Sequence, residues 1–307
     1  MTLIAFVVLA AALASAPRVL AATRTWDGGG ADNNWSTAAN WSADTLPVPG
    51  DTVTFNGACI PCTKAAVIDM AANVAIFQMN AGYTGTVSIG AGTLTLTTSY
   101  TQSAGTFSGG SSTLTITGGT TVNAGGTFTG STATINLNGA LTVNAGGAFT
   151  STTGILTVTG AVTLAAGVFT HNGGSVVFST SNVTLNLGGA ATFNNVQFLS
   201  GTKTISAGST MNVAGTLTLT GGTLNQSGAT GTVAAQGAID AQAGFLGGSA
   251  TLLINGGVGQ LWTGSQGGGS GLPVVIINNP GGLTMSGTFR TTRNWTFIPG
   301  STVTAGA

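Results

Sequence analysis

The feature that most constrains this chain is a 21-residue unit that returns in register. Residues 113–128 read TLTITGGTTVNAGGTF, residues 134–149 read TINLNGALTVNAGGAF, and residues 155–169 read ILTVTGAVTLAAGVF. Leu114, Ile135 and Leu156 are 21 apart, as are Gly118, Gly139 and Gly160. Phe107, Phe128, Phe149 and Phe169 follow at steps of 21, 21 and 20. A fixed period of this size marks a solenoid, in which each unit buries its apolar face only by stacking on the next.

Within each unit the apolar residues alternate with polar ones, as in Leu114-Thr115-Ile116 and Leu141-Thr142-Val143. Period-2 alternation puts one set of side chains inward and Thr or Asn outward. Strands of four to six residues follow, separated by Gly-rich corners such as Ala124-Gly125-Gly126. Composition agrees: 51 Gly, abundant Thr and Val, and charged residues at only 4%. Disorder is excluded by the β-branched content, and collagen by the lack of Gly at every third position. A β-sandwich would also use many short strands, but it predicts no fixed 21-residue register.

These patterns predict an all-β chain folded as a β-solenoid of 20–21 residues per coil. Phe107, Phe128, Phe149 and Phe169 are expected to form an interior ladder, and Asn123 and Asn144 to stack at a corner with amides bonded along the axis. Residues 63–307 would make about twelve coils and a rod ~55 Å long at the spacing of paired strands. Further along, the repeat is read with drift: Val213, Val233 and Leu253 at steps of 20, and Leu224 to Phe245 at 21.

Residues 1–21 read as a signal peptide, with an apolar run from Leu3 to Leu13 and a cleavage site after Val19-Leu20-Ala21. The apolar run is shorter than the ~20 residues a membrane span needs. A secreted or bacterial cell-surface location follows, with no membrane insertion of the mature chain. In that setting Cys59 and Cys62, the chain's two cysteines, are expected to form a local disulfide. The C-x-x-C spacing also fits a redox motif, but no βαβ pattern surrounds it, and two thiols do not complete a zinc site.

Residues 22–62 differ from the coils. Trp26, Trp35 and Trp41 lie in TWDGGGADNNWSTAANWS, residues 25–42, followed by Leu46-Pro47-Val48-Pro49-Gly50-Asp51. Two readings stand: a cap over the first coil, whose open backbone would otherwise template aggregation, or a carbohydrate-stacking platform. Asp27, Asp32, Asp44 and Asp51 could contribute to a calcium site, although no D-x-D-x-D-G loop is present. The Trp/Gly segment, with Asn80-Ala81-Gly82-Tyr83-Thr84-Gly85 and Phe193-Asn194-Asn195-Val196-Gln197-Phe198, resembles secreted bacterial surface proteins carrying autotransporter-associated β-strand or adhesin-like repeats. The resemblance implies a single-stranded, right-handed parallel β-helix exposed outside the cell, and little about a ligand.

Chemistry is read by exclusion. Net charge is zero, which leaves no electrostatic footprint for nucleic acid. Between Met70 and Phe289 only Lys203 and Asp240 are charged, and His171 is the single histidine. Glycoside hydrolysis commonly needs two carboxylates, and the coils between Met70 and Ala307 carry one, Asp240. No phosphate-binding loop is present, and no cofactor is expected. The chain therefore reads as a non-catalytic structural or adhesive protein. A self-assembling filament or sheath subunit is the alternative, and a polysaccharide-acting enzyme is the third reading. Expected partners are surface glycans, or the chain itself through end-to-end stacking. Residues 300–307 stop in mid-pattern, which suggests either a fragment of a longer protein or an end that docks on a neighbour.

Overall fold

The computed structural model describes residues 21–57, 64–179, 182–228, 230–291 and 293–306. The segment read as a signal peptide lies outside these residues apart from Ala21, as do Cys59 and Cys62. The chain is all-β, a parallel β-solenoid of about 12 turns. Among the described residues every pairing between strands is parallel, and within the stack a strand meets its counterparts one coil earlier and one coil later. No helix among the described residues is long and apolar enough to cross a membrane.

A coil carries up to three short strands. One example is Leu114–Ile116, Gly119–Val122 and Thr127–Thr129, and the next coil repeats it as Ile135–Leu137, Leu141–Val143 and Ala148–Thr150. The first two faces belong to one 19-stranded sheet, because long strands such as Thr93–Gln102 run across both. The third face is two six-stranded sheets, divided between Phe169–Thr170 and Ala190–Phe193.

The ladder is already running before residue 63. Thr23–Thr25 pairs with Thr52–Thr54, and Thr52–Phe55 pairs with Ile76–Met79. Inward positions build one continuous core: on the first face Leu94, Leu114, Ile135, Leu156, Val176 and Val196 follow one another in register and are buried.

Coil length is not constant. From Leu94 to Leu217 the steps along this row are 20 or 21 residues. Ile239 then lies 22 beyond Leu217, Trp262 lies 23 further, and Met285 another 23. The register read as Val213, Val233 and Leu253 is therefore corrected. Val213 opposes Ala235, which opposes Ile254, while Met211, Val233 and Leu252 share the neighbouring inward row and Leu253 points outward. Phe245 likewise opposes Gly222 rather than Leu224. The cause is length variation in the turns, which moves residues between rows without breaking the sheets.

Corners show why glycine recurs. A Cβ on Gly139 would fall on the carbonyl of Gly118, and one on Gly160 would fall on that of Gly139. The column is thus a line of close backbone approach. At the next corner Gly125 and Gly146 adopt φ of +86° and +83°, where other residues are strained. Beside them Asn144 Nδ2 donates to Asn123 Oδ1 at 2.7 Å, and Asn123 Nδ2 donates to Ser103 Oγ at 2.9 Å.

Candidate functional site

Two places carry the residues singled out by sequence: the aromatic N-terminal segment and the outward polar face. In the first, all three indoles are buried, with exposures of 0%, 1% and 0% for Trp26, Trp35 and Trp41. Trp41 packs edge-on against Trp26 at 5.1 Å and Trp35 at 4.5 Å, and Trp35 stacks parallel to Phe77 at 6.4 Å. Trp41 Nε1 donates to the carbonyl of Trp35 at 2.8 Å. A sugar needs an open ring face on which to stack, so the glycan-stacking alternative for these three residues is corrected: their faces are covered by protein.

Asp27, Asp32 and Asp51 are committed to local donors, Asp27 to the N–H of Gly29. Asp51, fully buried, accepts from the backbone N–H groups of Ala22 and Val48 and pairs with Arg24 at 3.4 Å. Asp32 accepts from Thr37 Oγ1 and from Asn34 and Asn40, and these hydrogen bonds, the Thr37 hydroxyl first, lower its pKa. Lys64 closes the segment from the other side, donating to the carbonyls of Gly28 and Gly30 and to Asn40 Oδ1. Among the described residues no group of three or more His, Cys, Asp or Glu is placed to hold a metal ion.

Inside, the rings of Phe107, Phe128 and Phe149 stack at centroid distances of 5.0 and 4.5 Å, and Phe169 follows at 6.0 Å. The run extends at both ends. Phe193 joins at 4.7 Å, while Phe107 meets Phe77, which meets Phe55 and so the tryptophans. Sequence reading missed Phe55, Phe77 and Phe193 because they sit outside the three units that align without gaps.

The second place is the outer surface of the first face. A row of outward side chains runs in register from Asn73 through Thr95, Thr115, Asn136 and Thr157 to Ser286. Midway, a shallow open trough of about 310 Å³ is lined by Ser175, Val177, Asn195, Gln197, Thr216 and Thr218, with Ile155 at one edge. Asp240 belongs to this outward row and is held by Gln242 and Thr263. Lys203 lies on the other face of the long sheet and points inward, in register with Val183 and Leu224. The two charges between Met70 and Phe289 are therefore not brought together.

Lys203 donates to the carbonyls of Ser179 and Ser200, and burial pulls its pKa down to about 8. Its inward position was readable, since Lys203 stands two residues before the inward Ile205. Tyr100 is also buried, and burial raises its hydroxyl well above the ordinary value while it donates to Gln102 Oε1 at 2.8 Å. His171 sits in a turn, where its Nδ1 accepts from the N–H of Gly173.

Comparisons with family models, with curated proteins and with solved structures find no match to this chain.

Proposed function

We propose that the chain is a non-catalytic structural or adhesive rod acting outside the cell or on a bacterial surface. The observation that carries this reading is the sorting of side chains by parity. One register builds a continuous apolar interior, and the other presents a long row of mostly neutral polar side chains, Thr and Asn foremost, interrupted by Val177 and Asp240. Such a scaffold sets distance and presents a repeating surface, and Lys203 and Asp240, the two charges between Met70 and Phe289, lie on different faces. The resemblance of the Trp/Gly segment to autotransporter-type and adhesin-like proteins supports export. In this reading Trp26, Trp35 and Trp41 close the N-terminal end of the stack.

The test is to express the full chain in a bacterial host, fractionate the cells and image the exported protein. Isolated rods in the extracellular or surface fraction support the proposal. Regular fibres would instead support the self-assembling filament, and retention in the cytoplasm would overturn both. Degradation of pectin or alginate that is lost in Asp240→Ala would overturn the non-catalytic reading.

A further inference from the structure

We propose that the outer surface of the first face binds ice, by holding water in a lattice that matches a crystal surface. This goes beyond the structural role above and does not depend on where the chain resides.

Two adjacent coils carry the motif T-x-T-x-T in full: Thr93, Thr95 and Thr97 on one, and Thr113, Thr115 and Thr117 on the next. Leu94, Leu96, Leu114 and Ile116 between them are buried, so all six threonines share the outer side. The next two coils keep the alternation over residues 134–138 and 155–159, with Thr or Asn at every outward position but Ile155. Backbone geometry then fixes a grid: ~4.8 Å from coil to coil, and ~6.7 Å between alternate residues of one strand. Both spacings are close to repeats of the oxygen positions on a prism face of hexagonal ice.

Three further observations favour frozen water over a soluble ligand. Among the described residues, none makes a side-chain hydrogen bond with Thr93, Thr95, Thr97, Thr113 or Thr117, and Thr115 receives only a long one from Asn136 at 3.5 Å. Their hydroxyls are thus free to bond outward. The patch carries no charged side chain, whose hydration shell would disorder a neutral lattice. It also presents no aromatic ring for a sugar to stack on, since the nearby aromatics, Phe77, Tyr100 and Phe107, are buried. β-Branched side chains on paired strands are stiff at χ1, so the hydroxyl and methyl grid is preorganised before contact.

The experiment uses the purified chain and measures thermal hysteresis, ice-crystal shape and incorporation into slowly growing ice. The wild type is expected to facet ice crystals and to show thermal hysteresis. Thr115→Lys, in the middle of the grid, is expected to reduce the hysteresis several-fold. Thr129→Lys, an outward residue of the third face, should leave it unchanged. Circular dichroism on all three establishes that they are equally folded. A folded wild type that leaves ice crystals round overturns the proposal, as does equal loss in both variants. Retention on insoluble cellulose or chitin that Thr115→Lys abolishes, without any effect on ice, assigns the face to a glycan and also overturns it.

Discussion

The coils up to Phe193 and those from Met211 onward solve the same packing problem with different materials. In the first region the third face is filled by Phe107, Phe128, Phe149, Phe169 and Phe193, ring upon ring. In the second region the same face is filled by aliphatic residues, with Met211, Val233, Leu252 and Val275 in one row ending at Trp295. Coil lengths differ in parallel. The phenylalanine ladder steps by 20 or 21 from Phe107 to Phe169 and by 24 to Phe193, where the rings tilt by 35°, whereas the later row steps by 22, 19, 23 and 20. Flat rings stack parallel only when each lies over the last, so the near-parallel part of the column coincides with the coils of constant length. Aliphatic side chains tolerate small displacements and leave turns free to vary.

This contrast is broken most sharply by Phe128→Ala. The ring is fully buried between two parallel neighbours, so its removal leaves a cavity in the middle of the stack. A loss of about 3–5 kcal/mol is expected, measured as a shift in the urea midpoint. Leu252→Ala in the second region should lose less, about 2–4 kcal/mol. Equal losses would mean that ring stacking adds nothing to the aromatic half.

Glycine gives the next largest separation. Gly139→Ala places a methyl against the backbone of the preceding coil and should cost about 1–3 kcal/mol as overpacking. Gly257, in the region of variable turns, has open space where a Cβ would stand. Gly257→Ala should therefore be neutral, or stabilise by about 0.4–1 kcal/mol through the unfolded chain. Thermal unfolding of the two variants decides whether the corner column is a steric constraint or only a compositional habit.

A smaller effect separates the regions by pH. Lys203 has a folded pKa lowered to about 8 from the 10.5 of an unfolded chain. The unfolded state therefore binds more protons between those values, and stability should rise as pH increases from about 8 to 10.5. Tyr100 works in the opposite sense: its raised pKa means stability is fully present below about 10 and lost above it. Lys203→Met should abolish the rise and Tyr100→Phe the alkaline fall, both read from urea midpoints across the pH series.

Much of the first region was legible in sequence because identical residues stack on identical residues, and period-2 parity sorts inside from outside. The same logic failed beyond Val213. Turns there change length, so an alignment that maximises likeness can set Val233 beside Val213, when the register places Val233 beside Met211. The tryptophans were legible as a group, but their burial was not, since a spacing of nine and then six residues carries no parity. The continuous outward row from Asn73 to Ser286 was only partly visible, because it needs the register of every coil. Lys203 was not placed on either side of its strand, although its position two residues before Ile205 pointed inward.

The parallel register has a mechanical consequence. The hydrogen bonds of all three sheets run along the axis, so a pull on the two ends loads the contacts between coils in series rather than side by side. No set of strands is sheared together. Extension should therefore peel the rod one coil at a time, each event releasing about 21 residues and ~70 Å of chain. Under load such a molecule would lengthen in steps at modest force rather than break at one threshold, acting as a shock absorber as well as a spacer.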